Sequence, residues 1–135
     1  MAKKCLYELV IVPTALYGAE AWGMRNEERR KMNVLEMKCL RSLVGVSRSD
    51  KVRNEEVRRR AGIERELATR ADQRVLRSFG HVERMDDYRM TRRVFMAEVS
   101  GGRVRGRPRI GWIDGVKVAN ARQIGESGAP WCICN

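Results

Sequence analysis

Arginines recur at helical spacing in the middle of this chain. Four of them gather on one side of the helix that the sequence predicts over Ile63–Met85: Arg70, Arg74, Arg77 and Arg84. An apolar line runs beside them, formed by Ile63, Leu67, Ala68, Ala71, Val75, Phe79 and Val82. Guanidinium groups hold phosphate or carboxylate oxygens through a planar fork of N–H donors. We therefore expect this helix to pack on its own protein and to offer charge to an anionic partner.

Two further groups of arginines could contact the same partner. The first covers most of the circumference of a short helix and consists of Arg58, Arg59 and Arg60. The second lies in a segment rich in glycine and contains Arg103, Arg105, Arg107 and Arg109. Its Arg-Gly-Arg-Pro core resembles an AT-hook, whose thin extended backbone fits a narrow A·T minor groove. The alternative is a connector that touches phosphates without reading bases.

The overall charge favours a nucleic-acid partner. The chain has 135 residues and a net charge of +11, and 22 of its 28 basic residues are Arg. The stretch from Arg41 to Arg109 carries +9 of this charge. Such a concentration predicts binding to the phosphate backbone of RNA or DNA. The scattered cysteines favour a reducing compartment, so we expect an intracellular protein, cytoplasmic or nuclear.

Other chemistries are not expected. The four cysteines are scattered, and His81 is the only histidine, so we expect no metal site and no cofactor. The pair Asp86-Asp87 lacks the flanking strands of a polymerase site, and a helix cap is the simpler interpretation. His81 is assigned a structural role beside a bend at Gly80. No apolar run is long enough to cross a membrane, and no catalytic residues are predicted.

The hydrophobic pattern predicts an all-α fold, a small irregular bundle of about five to six helices. The first helix covers Lys4–Trp22, is broken at Pro13, and places Tyr17 and Trp22 in the core beside a soft point at Gly18. A second helix begins near Asn26 and ends at Gly45, with an inner stripe of Met32, Leu35, Cys39 and Leu43 that is widened by Leu40 and Val44.

The remaining helices follow the same pattern. Glu55–Ala61 forms a third helix that ends at Gly62, and the long arginine-bearing helix comes next. A helix over Arg89–Val99 is expected to direct Met90, Val94 and Ala97 inward. A last helix covers Ile110–Arg122, where Trp112 is expected to anchor the basic loop.

Five short motifs, in this order, resemble the C-terminal part of a non-LTR (LINE-type, RTE- or jockey-like) retrotransposon reverse transcriptase. They are Leu16–Trp22, Cys39–Gly45, Arg53–Val57, Gly80–Met85, and Gly106–Arg109 with Trp112. The resemblance covers Leu6 to Val118 and corresponds to the thumb and the region after the polymerase palm. It implies helices that hold a template–primer duplex. It also implies that the palm carboxylates and the endonuclease domain are missing, so the chain is not an enzyme.

From this resemblance and the composition we expect four regions. Residues 1–100 form a helical, thumb-like region, 101–109 a basic loop, 110–124 a C-terminal helix and 125–135 a poorly ordered, irregular tail. One hypothesis for the tail is translation of a related coding stretch in a shifted reading frame. Three functions stay open: a nucleic-acid-binding fragment, a helical interaction module built to pack on palm and fingers domains, and an AT-hook-like DNA binder.

Overall fold

The computed structural model describes residues 2–97 and 111–127, and every regular element within these ranges is a helix. The predicted all-α class is confirmed for this part of the chain. The basic loop over 101–109, with Arg103, Arg105, Arg107 and Arg109, lies outside the described residues. So does the tail from residue 128 onward.

Contacts divide the chain into two units. The first comprises Met1–Ala19 and Met24–Ala71, and the second comprises Glu20–Gly23 and Asp72–Asn135. The boundaries expected at residues 100, 109 and 124 follow changes in composition, whereas this division follows packing.

The N-terminal helix has three parts. Helix α1 (Ala2–Leu6) continues through a π-helical turn (Tyr7–Ile11) into α2 (Val12–Ala15), so the chain stays helical through Pro13, where a break was predicted. The Val12 N–H donates to the Tyr7 carbonyl five residues earlier, which places Tyr7 and Val12 on one buried face.

The first unit also contains α3 (Asn26–Val44), α4 (Asn54–Ala61) and the beginning of α5 (Leu67–Glu83). Helices α3 and α4 end at Gly45 and Gly62, whose positive φ angles of 75° and 66° confirm both predicted stops. The core of this unit combines residues from all of these helices: Tyr7, Val12, Leu16, Ala19, Met24, Met37, Leu40, Val57, Ala61, Ile63, Leu67 and Ala71.

In the first unit, two of the side chains predicted to be core are exposed. Tyr17, in the turn after α2, is 85% exposed, whereas its neighbour Leu16 is buried. On α3, Leu35 is exposed while Glu36, Met37 and Leu40 are buried. The other predicted stripe residues, Met32, Cys39 and Leu43, pack against the core, and Glu36 joins this face because it binds an arginine and a tyrosine.

Helix α5 carries the predicted apolar line, and this prediction is confirmed. Ile63, Leu67, Ala68, Ala71, Val75 and Val82 are all buried. The helix is shorter than expected, since Ile63–Glu66 is not helical and α5 begins at Leu67. It continues without interruption through Gly80 and ends at Glu83.

The second unit is built on part of α5 together with α6 (Met90–Met96) and α7 (Trp112–Ser127). Phe79, Phe95 and Trp112 form an aromatic cluster, with ring centroids 5.9–6.2 Å apart. The prediction that α6 turns Met90, Val94 and Ala97 inward is wrong, because all three are exposed. Phe95 and Arg92 occupy the inward side instead.

Candidate nucleic-acid interface

The first candidate, Arg58, is a structural residue. Its Nη2 lies 2.7 Å from Oε2 of Glu36, which is 1% exposed, and 3.4 Å from Oε1 of Glu66. The other Glu36 oxygen, Oε1, accepts hydrogen bonds from the Tyr7 hydroxyl at 3.2 Å and from the Leu67 backbone N–H at 3.1 Å. Glu36 therefore has two roles: one carboxylate oxygen accepts the first N–H of α5, and the other neutralises Arg58.

Arg59 and Arg60 share one carboxylate on their own helix. Arg59 binds both oxygens of Glu56 at 2.8 Å, and Arg60 Nε donates to Glu56 Oε1 at 2.7 Å. The hydrogen bonds from Arg59, then from Arg60, lower the pKa of the Glu56 carboxyl to about 2. The side chains of Arg59 and Arg60 are exposed to solvent, but the Glu56 carboxylate offsets part of their positive charge.

Arg70 pairs with the N-terminal helix. Its two Nη atoms donate to the two carboxylate oxygens of Glu8, at 2.7 and 3.0 Å. The hydrogen bond from Arg70 holds the pKa of the Glu8 carboxyl below its usual value, and the pKa of Arg70 is raised in turn. This fork-to-fork pair ties α5 to the N-terminal helix and neutralises the charge of Arg70.

Arg77 and Arg84 differ from these four. Both are exposed, and no carboxylate in the described residues forms an ion pair with either. Arg84 lies across Gly80: a Cβ at Gly80 would be 3.4 Å from Arg84 Nη1. His81 is exposed between them and makes no hydrogen bond within the described residues, where a structural one was expected. Arg74, half-buried on the same helix, is engaged in an interaction within the protein.

Two arginines outside the predicted set lie in the turn after α5 and at the start of α6. Arg89 and Arg93 are exposed, and a backbone hydrogen bond of 3.0 Å from Arg93 to Arg89 places them one helical turn apart. Tyr88 beside them is also exposed. Their spacing of four residues, visible in the sequence, is the pattern that could have predicted this pair.

Arg92 removes acidic charge from this surface. It lies 3.2 Å from Glu83 Oε1 and 3.6 Å from Asp87 Oδ1, while its own side chain is only 12% exposed. Asp86 accepts a backbone hydrogen bond from Arg89 through its carbonyl, so the acid pair forms a turn and gives α6 no side-chain cap. We call the exposed residues Arg77, His81, Arg84, Arg89 and Arg93 the basic face.

No family model matches this chain, and no match is found among curated proteins or solved structures. Any functional assignment must therefore come from the geometry and from the resemblance of the motifs. Within residues 2–97 and 111–127, no group of His, Cys, Asp and Glu side chains could hold a metal ion. Nor is any helix in these ranges both long and apolar enough to cross a membrane.

The residues predicted to be structural have different environments. Trp112 belongs to the aromatic cluster, and its Nε1 donates to the Glu20 carbonyl at 2.8 Å. Gly18 has a φ of 67° in the turn after α2. Trp22 is 38% exposed, so it is less buried than expected. Trp112 thus joins α7 to the segment Glu20–Gly23, all within the second unit.

Proposed function

We propose that this chain is a catalytically incomplete relative of a retrotransposon reverse transcriptase C-terminal region, and that its basic face binds the phosphate backbone of RNA or DNA. One observation carries the proposal. Arg77, Arg84, Arg89 and Arg93 have no carboxylate partner in the described residues, whereas Arg58, Arg59, Arg60 and Arg70 do. The proposed interface is therefore narrower than the set of arginines predicted from the sequence.

The electrostatics of polyanion binding give this proposal a measurable signature. Each phosphate that a cation neutralises contributes about 0.9 to the slope of log affinity against log salt for duplex DNA. Loss of two contacting arginines should thus reduce that slope by about 1.8. An arginine that already shares a carboxylate should contribute less.

The test compares two variants that each lose two arginines. Binding of the wild type, Arg77→Gln/Arg84→Gln and Arg59→Gln/Arg60→Gln to duplex DNA, RNA and RNA–DNA hybrid is followed by fluorescence anisotropy across a salt series. In the first variant we expect the slope of log affinity against log salt to fall by most of the predicted change of about 1.8. In the second variant we expect that slope to change little. A wild type with no salt dependence, or equal losses in both variants, would refute the proposal.

A second candidate function rests on an exposed apolar surface of the N-terminal helix. Leu6, Leu9, Val10 and Tyr17 are all more than half exposed. An interaction module that packs on palm and fingers domains would need such a surface. Sedimentation of the wild type and of Leu9→Glu tests this candidate: a monomer at every concentration in both proteins would count against it.

The AT-hook alternative depends on Arg103, Arg105, Arg107 and Arg109. It predicts tighter binding to A·T-rich than to G·C-rich duplexes of equal length. Equal affinities would eliminate it. We propose that this chain alone has neither polymerase nor endonuclease activity, whichever form of nucleic-acid binding it uses.

A further inference from the structure

A groove of about 680 Å³ lies between α3 and α4, entirely within the first unit, and shares no residue with the basic face. It follows α3 from Asn33 to Ser42. These nine residue steps correspond to about 14 Å at 1.5 Å per residue. Its volume falls within the range of about 300–1,000 Å³ that small-molecule sites occupy.

One end of the groove carries positive charge. Arg41 is held there by neutral acceptors: Nη2 donates to the Val52 carbonyl at 2.7 Å and to Asn54 Oδ1 at 3.1 Å, and Nη1 donates to the Ser47 carbonyl at 3.3 Å. Three of its five N–H groups are used, so two are left for a ligand. No carboxylate in the described residues forms an ion pair with Arg41.

Two more cations line the same end of the groove. Lys38 precedes Arg41 by one turn of α3, and Arg48 lies in the segment after Gly45. Neither forms an ion pair with a carboxylate in the described part of the chain. A fixed guanidinium with two adaptable cations beside it suits an anion with several oxygens, such as a phosphate.

The opposite end has unsatisfied polar atoms. Asn33 Oδ1 and Arg58 Nη1 are buried without a hydrogen-bond partner. Buried polar atoms without partners are rare in native proteins. Glu66, also at this end, is engaged by Arg29 and Arg58. This end offers one acceptor and one donor that a ligand with a polar edge could satisfy after a small side-chain movement.

Between the two ends, the wall is apolar. Val34 is 56% exposed, and Met37 and Val46 lie beside it along the groove. A planar ring could cover Val34 and reduce its exposure. Glu55, the other carboxylate in the wall, has no ion pair in the described residues and should oppose an anion.

We propose that this groove binds a nucleoside phosphate, with the phosphate at Lys38, Arg41 and Arg48 and the base over Val34 and Met37. The polar edge of the base would then reach Asn33. A free nucleotide and the terminal nucleotide of a strand share this chemistry. This site is independent of the basic face, and either proposal can fail without the other.

The experiment uses the full chain with ¹³C-labelled Val and Met methyl groups. It is titrated with adenosine 5′-monophosphate, adenosine, inorganic phosphate and a 5′-phosphorylated trinucleotide. We expect the monophosphate to shift the Val34 and Met37 methyl signals and to bind at least tenfold more tightly than adenosine or phosphate. Tighter binding of the trinucleotide would identify a strand end as the source, and equal or weaker binding would identify the free nucleotide.

Variants of equal charge locate the site. Lys38→Gln/Arg48→Gln should weaken monophosphate binding at least tenfold, and Arg30→Gln/Lys31→Gln, on the exposed part of the same helix outside the groove, should leave it unchanged. Glu55→Gln should strengthen it. The proposal is overturned if phosphate alone binds as tightly as the nucleotide, if both double variants behave alike, or if the Val34 and Met37 signals do not move.

Discussion

The Glu36–Arg58 pair should be the most sensitive point of the first unit. Replacing Glu36 by Leu leaves the Arg58 guanidinium, whose side chain is 16% exposed, with only Glu66 at 3.4 Å. The same change leaves the Leu67 N–H and the Tyr7 hydroxyl without their acceptor. Breaking a buried ion pair from one side costs about 3–5 kcal/mol, and we expect about 4 for Glu36→Leu.

The reverse change should cost slightly less. In Arg58→Leu, the Glu36 carboxylate keeps the hydroxyl of Tyr7 and the N–H of Leu67 as donors, so we expect about 3 kcal/mol. The double variant removes both charges and should cost only about 2–3 kcal/mol, because the lost hydrogen bonds of Leu67 and Tyr7 are its main penalty. A coupling energy of about 4–5 kcal/mol follows.

Urea unfolding followed by far-ultraviolet circular dichroism measures these free energies. Hydrogen exchange separates the two roles of Glu36: the Leu67 amide should exchange faster in Glu36→Leu and in the double variant, but not in Arg58→Leu. Glu56→Gln, which breaks only exposed pairs, is the control and should change little. Additive costs, or a Glu36→Leu variant within about 1 kcal/mol of the wild type, would refute this reasoning.

Two further predictions concern other contacts. Gly115→Ala should destabilise the second unit by about 1–3 kcal/mol in urea unfolding, because its Cβ would lie 2.7 Å from the Gly23 Cα. Gly125→Ala, whose Cβ would have no atom within 4 Å, should be neutral or stabilising in the same measurement. Burial, followed by the charge of Glu36, raises the pKa of Tyr7; since the folded state favours the neutral phenol, its contribution to stability is present below about pH 10 and is lost as pH rises further. Tyr7→Phe should lower the free energy of unfolding by about 1 kcal/mol at neutral pH. Above about pH 10, its free energy of unfolding, measured in urea titrations, should fall less with pH than that of the wild type. Parallel pH profiles of the two proteins would contradict this.

Local signals in the sequence predicted the helices and the ends of α3 and α4. Gly45 and Gly62 stop α3 and α4 because each adopts a left-handed conformation that other residues rarely adopt. The apolar line of α5 also follows from spacing alone. The pairing of Arg59 and Arg60 with Glu56 could have been predicted too, since they lie three and four residues apart on one helix.

The wrong predictions arise from contacts between distant residues. Spacing at 3.6 residues per turn cannot show that a π-helical turn brings Tyr7 and Val12 to one face. Nor can it show that Glu36 turns inward, because its partners Tyr7, Arg58 and Leu67 are 22 to 31 residues away. The prediction for α6 is wrong for a related reason. Phe95 packs in the aromatic cluster and Arg92 forms ion pairs, and these contacts outweigh the apolar character of Met90 and Val94.

The same distinction separates the arginines that support the fold from those that could bind a polyanion. Arg70 looked equivalent to Arg77 in the sequence, but its partner Glu8 is 62 residues away. In the second unit, Arg92 and Arg122 are largely covered and lie close to Glu83, Asp87 and Asp72. These two arginines pair with three carboxylates of the second unit, whereas Arg77, Arg84, Arg89 and Arg93 form no ion pair with a carboxylate in the described residues. An excess of arginine over acid therefore indicates a binding surface only after the buried pairs have been subtracted, and in the described part of the second unit that subtraction leaves the arginines of the basic face.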